Sequence, residues 1–89
     1  MVINNEKIQS AINQYNIYRK NLVQAELREI TMNNIIVFFH GIICETCGYY
    51  DYYDDLQILL EDEFDVNTNI VEINHVENGD VVIFQLVLD

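Results

Sequence analysis

The dipeptide Asn78-Gly79 is the sequence feature that most constrains the fold of this 89-residue chain. It separates two strand-like segments, residues 69–76 and residues 81–88, and Asn-Gly in that setting is the strongest short signal for a β-hairpin. A two-residue turn formed by this dipeptide places Glu77 opposite Asp80. We therefore predict an antiparallel hairpin at the C-terminal end of the sequence.

The predicted register of this hairpin gives it one apolar and one polar face, because successive side chains of a strand point to opposite sides. The apolar face is expected to contain Val71, Ile73, Val82, Phe84 and Leu86. The polar face is expected to contain Glu72, Asn74 and Gln85. The hairpin should therefore supply one side of a hydrophobic core.

The remaining chain predicts two helices and a further strand. Apolar residues recur at three- and four-residue steps over residues 5–29, which predicts one long amphipathic helix. The run IIVFF within residues 34–40 is short and continuously apolar, as in a strand covered on both faces. A second helix is predicted over residues 50–64. Its buried side should be formed by Leu56, Leu59, Leu60 and Phe64.

These elements predict a single α+β domain over residues 1–89, in the order α-β-α-β-β. A right-handed crossover through the second helix would make the first two strands parallel, with the last strand between them and antiparallel to both. The expected result is a three-stranded mixed sheet with both helices packed on one face. The other sheet face would be thinly covered, which favours a partner or a homodimer there. A heptad-like seam on the first helix is an alternative dimer contact.

Charge is distributed very unevenly along the chain. All four Lys and Arg residues precede Glu29, whereas thirteen of the 15 Asp and Glu residues lie from Glu29 onward. Self-repulsion of this kind destabilises a small protein, so the imbalance suggests a role in binding. It disfavours nucleic acid and anionic membranes as direct partners. The alternative is that the acidic residues only keep the surface soluble.

Tyrosines and carboxylates are concentrated in and around the second predicted helix. Carboxylates pair with guanidinium groups and phenol rings stack on them, so this composition suits recognition of a basic protein surface. The acidic hairpin tip adds to it. The candidate partner-binding residues are Tyr49, Tyr50, Asp51, Tyr52, Tyr53, Asp54, Asp55, Glu61, Asp62, Glu63, Asp65, Glu77 and Asp80.

The motif Cys44-Glu45-Thr46-Cys47 lies between a predicted strand and a predicted helix. Over about residues 35–76 this arrangement resembles the catalytic half of thioredoxins and glutaredoxins. The resemblance implies Cys44 as the nucleophile and Cys47 as the resolving thiol, since a helix N-terminus lowers the pKa of a thiol. The chain contains no proline, whereas that family places a cis-proline opposite the disulfide. A redox protein is thus one alternative function.

A small zinc-binding module is a second alternative. The two cysteines of this motif, together with two histidines, have the chemistry that zinc prefers. A second Cys-x-x-Cys pair is absent from the sequence, so the spacing itself is only a weak signal. The candidate ligands are His40, Cys44, Cys47 and His75.

As a class, the chain resembles small acidic inhibitors encoded by phages and other mobile elements, namely DNA-mimic anti-restriction proteins and anti-CRISPR proteins. The resemblance rests on size, on the cation-free acidic region and on the carboxylates of the second helix. It implies a nucleic-acid-binding host protein, a CRISPR effector or restriction-type nuclease, as the partner. Inhibition would follow from occupying its nucleic-acid channel.

The sequence gives no indication of other catalysis or of targeting. It contains no phosphate-binding loop, nucleophile elbow or HExxH motif, so thiol-disulfide exchange is the sole candidate activity and no cofactor is expected. The N-terminal residues lack the basic and apolar regions of a secretory signal, and no apolar run has the length of a membrane span. We therefore expect a cytoplasmic protein, in the host cytoplasm if phage-encoded.

Overall fold

A computed structural model describes residues 5–18, 23–41, 50–65 and 67–87. In chain order the elements are α1 (Asn5–Tyr18), β1 (Val23–Thr31), β2 (Asn34–Gly41), α2 (Tyr50–Phe64), β3 (Thr68–Val76) and β4 (Gly79–Leu86). The four strands form one sheet in the order β1-β2-β4-β3, and each neighbouring pair is antiparallel. The α+β class is confirmed. The predicted three-stranded mixed sheet is wrong, because a strand was missed and the described neighbours are all antiparallel.

The missed strand is β1, whose residues were predicted to form the end of a long first helix. The structure ends that helix at Tyr18 and begins β1 at Val23. Along β1, Val23 and Ala25 are buried and Leu27 packs partly against the core, a two-residue period typical of a strand. Ala25 also satisfies the helical spacing of the preceding apolar residues. The helical spacing therefore appeared to continue into β1, although buried and exposed residues alternate there as in a strand.

The side chain of Asn16 joins the end of α1 to β1. Its Nδ2 donates to the carbonyl oxygen of Ala25 at 3.0 Å, and its Oδ1 accepts from the Ala25 backbone N–H at 2.7 Å. The amide thus satisfies both backbone groups of one residue in an edge strand, as a neighbouring strand would. This contact fixes where the first helix lies relative to the sheet.

Both helices pack on the same face of the sheet, as predicted. The core contains Ile8, Ala11, Ile12 and Tyr15 from α1, four residues of α2, and alternating residues of β1, β2 and β4. Phe39 is at its centre, with its ring 5.6 Å from that of Tyr15, 4.7 Å from that of Tyr53 and 6.2 Å from that of Phe84. Four residues of the predicted α1 seam are therefore buried inside this single chain, whereas Tyr18 is 74% exposed. A dimer contact through the seam stays a prediction.

The hairpin exists, but its register differs from the prediction. Val76 pairs with Gly79, so the turn residues are Glu77 and Asn78, and Asp80 lies opposite His75 rather than opposite Glu77. The glycine is required by packing, since a Cβ at this position would lie 3.0 Å from the Phe39 carbonyl carbon and 3.2 Å from the His40 Cα. Gly79 thus permits close approach of β4 to β2 instead of forming the turn.

A second difference lies farther along β3. The register shifts between Ile70 and Glu72, as in a β-bulge, and Val71 between them is 51% exposed. Val71 was predicted on the apolar face and is not there, whereas Val82, Phe84 and Leu86 are buried as predicted. A matching shift between Leu27 and Glu29 occurs in β1. Both edge strands are therefore irregular and carry carboxylates, which discourages pairing with other chains.

The last strand lies between β2 and β3 and is antiparallel to both, as predicted. The face away from the helices is partly apolar, with Ile36, Phe38, Val81 and Ile83 half-buried. The guanidinium carbon of Arg28 lies 4.7 Å from the Phe38 ring centroid and covers part of this face. A homodimer through this face stays a prediction.

Candidate acidic interaction site

Helix α2 has one buried face and one exposed, acidic face. Leu56, Leu60 and Phe64 are buried as predicted, while Leu59 is only partly buried. On the opposite side, four residues at helical spacing are exposed: Asp54, Ile58, Asp62 and Asp65. At a rise of about 1.5 Å per residue, Asp54 and Asp62 are separated by about 12 Å along the helix axis. The packing of α2 therefore directs a row of carboxylates toward solvent.

Two other carboxylates of α2 have partners inside the protein. Oε2 of Glu61 accepts from the Thr68 backbone N–H at 2.8 Å and lies 3.4 Å from the Thr68 hydroxyl. Oε1 of Glu63 accepts from the Ser10 hydroxyl at 3.5 Å. Glu61 therefore ties the end of α2 to the start of β3, and Glu63 ties it to α1. These hydrogen bonds offset the unfavourable position of carboxylates near the negative end of the helix dipole.

Asp65 ends α2 in the left-handed region, with a φ of 54°. Its backbone N–H still donates to the Glu61 carbonyl at 2.8 Å, so the last helical hydrogen bond is made before the chain turns away. Aspartate tolerates this conformation better than most residues do. Asp65 is thus an exposed carboxylate whose backbone conformation also defines the helix end.

The structure corrects two predicted surface residues, Tyr53 and Asp80, which are buried. Tyr53 is 0% exposed and Asp80 is 6% exposed. The Tyr53 hydroxyl donates to Oδ2 of Asp80, and Nδ1 of His75 lies 2.6 Å from Oδ1 of the same carboxylate. Each carboxylate oxygen thus has a partner, as burial of a charged group requires. The cluster joins α2 to the tip of the β3-β4 hairpin.

Both burials have a signal in the sequence. Asp80 begins the alternation that continues through Val82, Phe84 and Leu86, so it shares their face toward the helices. Tyr53 precedes Leu56 by three residues and therefore lies on the buried side of the helix. The incorrect hairpin register obscured the first signal. Tyr53 was predicted at the surface because it lies within a run of tyrosines and carboxylates.

The other predicted partner-binding residues fall into three groups. Glu77 is exposed in the hairpin turn, and Asp55 is half-buried beside α1. Tyr49 lies outside the described residues. The side chains of Tyr50, Asp51 and Tyr52 also lie outside what the structure describes, although their backbones begin α2.

The two histidines of the predicted zinc site point to opposite faces of the sheet. His40 pairs with Gly79 and His75 pairs with Asp80, and adjacent residues of a strand point to opposite faces. His40 accordingly stacks on Phe38, with ring centroids 5.4 Å apart, on the face away from the helices. The two histidines therefore do not converge on one site. Among the described residues, no group of three His, Cys, Asp or Glu side chains is arranged to hold a metal ion.

The redox candidate stays a prediction, because Cys44 and Cys47 lie outside the described residues. The strands before and after α2 run in the same direction, but β4 separates them in the sheet. Neither described helix is long and apolar enough to cross a membrane.

No protein-family model, curated protein or solved structure matches this chain.

Proposed function

We propose that this protein is an acidic inhibitor, encoded by a phage or mobile element, that binds a basic nucleic-acid-binding protein and blocks its nucleic-acid channel. The observation that carries the proposal is the exposed row formed by Asp54 and Asp62 on α2 and by Asp65 directly after it. In the described part of the chain, none of these three carboxylates has a salt bridge. Their charge is therefore available to a partner.

The cost of this arrangement supports a binding role. Unneutralised carboxylates on one helix repel one another and lower the stability of a small domain. The same field attracts a basic surface over a distance of about a Debye length, roughly 8–10 Å at physiological salt. Electrostatic complementarity of this kind raises the association rate and disfavours acidic partners. The row thus favours selective binding to a cationic groove.

A nucleic-acid channel has the geometry that fits such a row. Asp62 and Asp65 are separated by three residues, about 4.5 Å along the helix direction, and Asp54 lies about 12 Å from Asp62. The shorter separation is similar to the spacing of charges along a nucleic-acid strand, about 3.4 Å of helix axis per phosphate, and the longer one spans about three to four phosphates. A groove lined with Lys and Arg for phosphates would therefore also accept the α2 face. CRISPR effectors and restriction-type nucleases have such grooves.

The test is affinity capture from a bacterial lysate with the immobilised protein, followed by elution with duplex DNA. The proposal expects enrichment of a nucleic-acid-binding protein that DNA displaces and that salt releases steeply. The matched control is the same resin carrying the Asp54→Lys, Asp62→Lys variant. Capture of proteins that neither DNA nor salt releases would contradict channel blocking.

A further inference from the structure

The sheet face away from the helices has an apolar strip along its two central strands. On this face β2 contributes Ile36 and Phe38, and β4 contributes Val81 and Ile83, all half-buried. The register pairs Ile36 with Ile83 and Phe38 with Val81, so these four side chains form two adjacent rows across the strands. The acidic residue of β4, Asp80, is buried on the opposite face. The strip formed by these four residues is therefore apolar and uncharged.

Charged residues lie on both sides of the strip. Glu26 of β1 pairs with Phe38, and Glu72 of β3 pairs with Ile83. Both carboxylates are on exposed residues. The guanidinium carbon of Arg28 lies 4.7 Å from the Phe38 ring centroid, so β1 also brings a cation to this face. An apolar centre with a charged rim is the usual anatomy of a protein-protein interface.

We infer that this face binds a second copy of the chain, so that the two sheets pack face to face as a symmetric homodimer. Packed sheets keep their strands aligned within about 30°. A two-fold axis parallel to the strands, between β2 and β4, places β2 of one copy over β4 of the other. Phe38 then meets Val81 of the second copy, and Ile36 meets Ile83. The strip is thus complementary to itself.

The charges of the edge strands favour the same axis, because it places β1 of one copy over β3 of the other. β1 contains Arg28, whereas β3 contains Glu72 and no Lys or Arg. Arg28 keeps its contact with Phe38 and brings its charge near the Glu72 edge of the second copy, which lowers the repulsion there. An axis perpendicular to the strands would place each edge strand over itself, so that β3 would gain no cation.

The area of the face is sufficient for a weak dimer. The two central strands are each eight residues long. At about 3.3 Å per residue and about 4.8 Å between strands, a four-stranded face measures about 26 by 19 Å. Two such faces would bury about 1,000 Å² together, which is near the lower bound for a specific interface. We therefore expect the dimer to form at high protein concentration.

The dimer leaves the acidic surface of α2 available, so the inference does not depend on the proposed function. Both helices pack on the other face of each sheet, which places Asp54 and Asp62 on the outer sides of the pair. Each copy carries a net charge of −11, and the two copies repel each other at low salt. Salt screens this repulsion. Added salt should therefore strengthen the dimer, whereas it should weaken binding of a basic partner.

The test is sedimentation equilibrium of the purified full chain over a range of protein concentrations. The two conditions are salt at about 0.01 M and at about 1 M, between which the Debye length falls from about 30 Å to about 3 Å. We expect the mass to rise from 10.5 kDa toward twice that value, with a Kd at least about tenfold lower at high salt. A chain that stays monomeric up to about 1 mM at high salt would overturn the dimer. A dimer that salt dissociates would also overturn it.

Two variants of β4 and one matched control test the sheet face itself. Ile83→Lys should abolish the dimer, whereas Ile58→Lys on α2, where Ile58 is 56% exposed, should keep it. Both changes reduce the negative charge equally, so a difference between them reports on the apolar contact. Val81→Thr keeps the branched shape of the side chain and should raise the dimer Kd at least about threefold, because the change occurs twice in the dimer. An unchanged Kd in folded Val81→Thr, or equal Kd values for the two folded lysine variants, would refute the sheet contact.

Isotope-filtered NMR of an equal mixture of labelled and unlabelled chains locates the contact. We expect NOEs between the Phe38 ring of one copy and the Val81 methyl groups of the other. NOEs between the two α1 helices around Tyr18 would assign the dimer to α1 and would overturn the inference. Circular dichroism of each variant confirms that it is folded.

Discussion

Replacing Tyr53 by phenylalanine tests the buried cluster that joins α2 to the hairpin. The change removes a single hydroxyl group, which donates to Oδ2 of Asp80, and keeps the aromatic ring in the core. No cavity is created, so the loss of stability reports on the hydrogen bond itself. Asp80 is 6% exposed, and water therefore has little access to replace the missing donor.

The expected loss can be worked out from these contacts. A hydrogen bond to a charged group contributes about 1.5–3 kcal/mol, and a buried group left without its partner bears that full cost. His75 still contacts Oδ1, so one oxygen of Asp80 keeps its partner. We expect Tyr53→Phe to lower the free energy of unfolding by about 2 kcal/mol. That is a large share of the about 4–13 kcal/mol typical of a domain of this size.

The assay is equilibrium unfolding in urea, followed by circular dichroism. With a slope of about 1 kcal/mol per molar urea, the midpoint should fall by about 2 M. Tyr18→Phe is the matched control, because Tyr18 is 74% exposed and the same change should cost less than about 0.5 kcal/mol. A double-mutant cycle with Asp80→Asn should give a coupling of about 1 kcal/mol or more. Equal midpoints for the two tyrosine variants would refute the reasoning.

Three further predictions use the same unfolding assay. Gly79→Ala should lower the free energy of unfolding by about 3 kcal/mol, because the added Cβ would contact the β2 backbone. Asn78→Ala in the turn should cost much less, and similar costs for the two variants would contradict the close approach of β4 to β2. Phe84→Ala should cost about 3–5 kcal/mol as a fully buried ring, and a loss under about 1 kcal/mol would contradict the core assignment. Glu61→Ala should cost about 1–2 kcal/mol through its contacts to β3, whereas Asp62→Ala should be nearly neutral; the reverse order would contradict the structure.

Local patterns predicted much of the helix packing, and they failed where two periods fit the same residues. Over residues 5–18 the helical spacing of Ile8, Ala11 and Tyr15 has no rival, and that helix was found. Across β1, Ala25 fits both the helical series before it and the alternation with Val23. Choosing between them needs the pairing of β1 with β2, which is a contact between segments and is absent from a local pattern.

The hairpin shows a second limit of sequence reasoning. Asn-Gly correctly indicated a turn, but the glycine is needed for the close contact between β4 and Phe39 of β2. The register depends on that neighbouring strand, which the dipeptide alone does not encode. Once the register changes by this amount, Asp80 faces His75 and Tyr53 instead of Glu77. A predicted acidic tip thereby becomes a buried structural cluster.

The candidate site could be predicted only where it depends on the periodicity of a single helix. Helical periodicity places Asp54 and Asp62 opposite the buried leucines, and the structure exposes both. Periodicity also places Tyr53 among the buried residues, a consequence that composition alone conceals. A groove beside Asp55 could not be predicted, because it is formed between residues of two helices whose contact the sequence does not specify.

The central claim is that the exposed carboxylates of α2 bind the basic partner, and charge reversal tests it most directly. One variant carries Asp54→Lys and Asp62→Lys, and its matched control carries Glu29→Lys and Glu72→Lys on the edge strands, where both residues are exposed. The measurement is the Kd of each folded variant for the captured nucleic-acid-binding protein. We expect about a 100-fold loss or more for the α2 variant, or about 2.7 kcal/mol, and less than about a fivefold loss for the control. A folded α2 variant that binds like the wild-type chain would contradict the account.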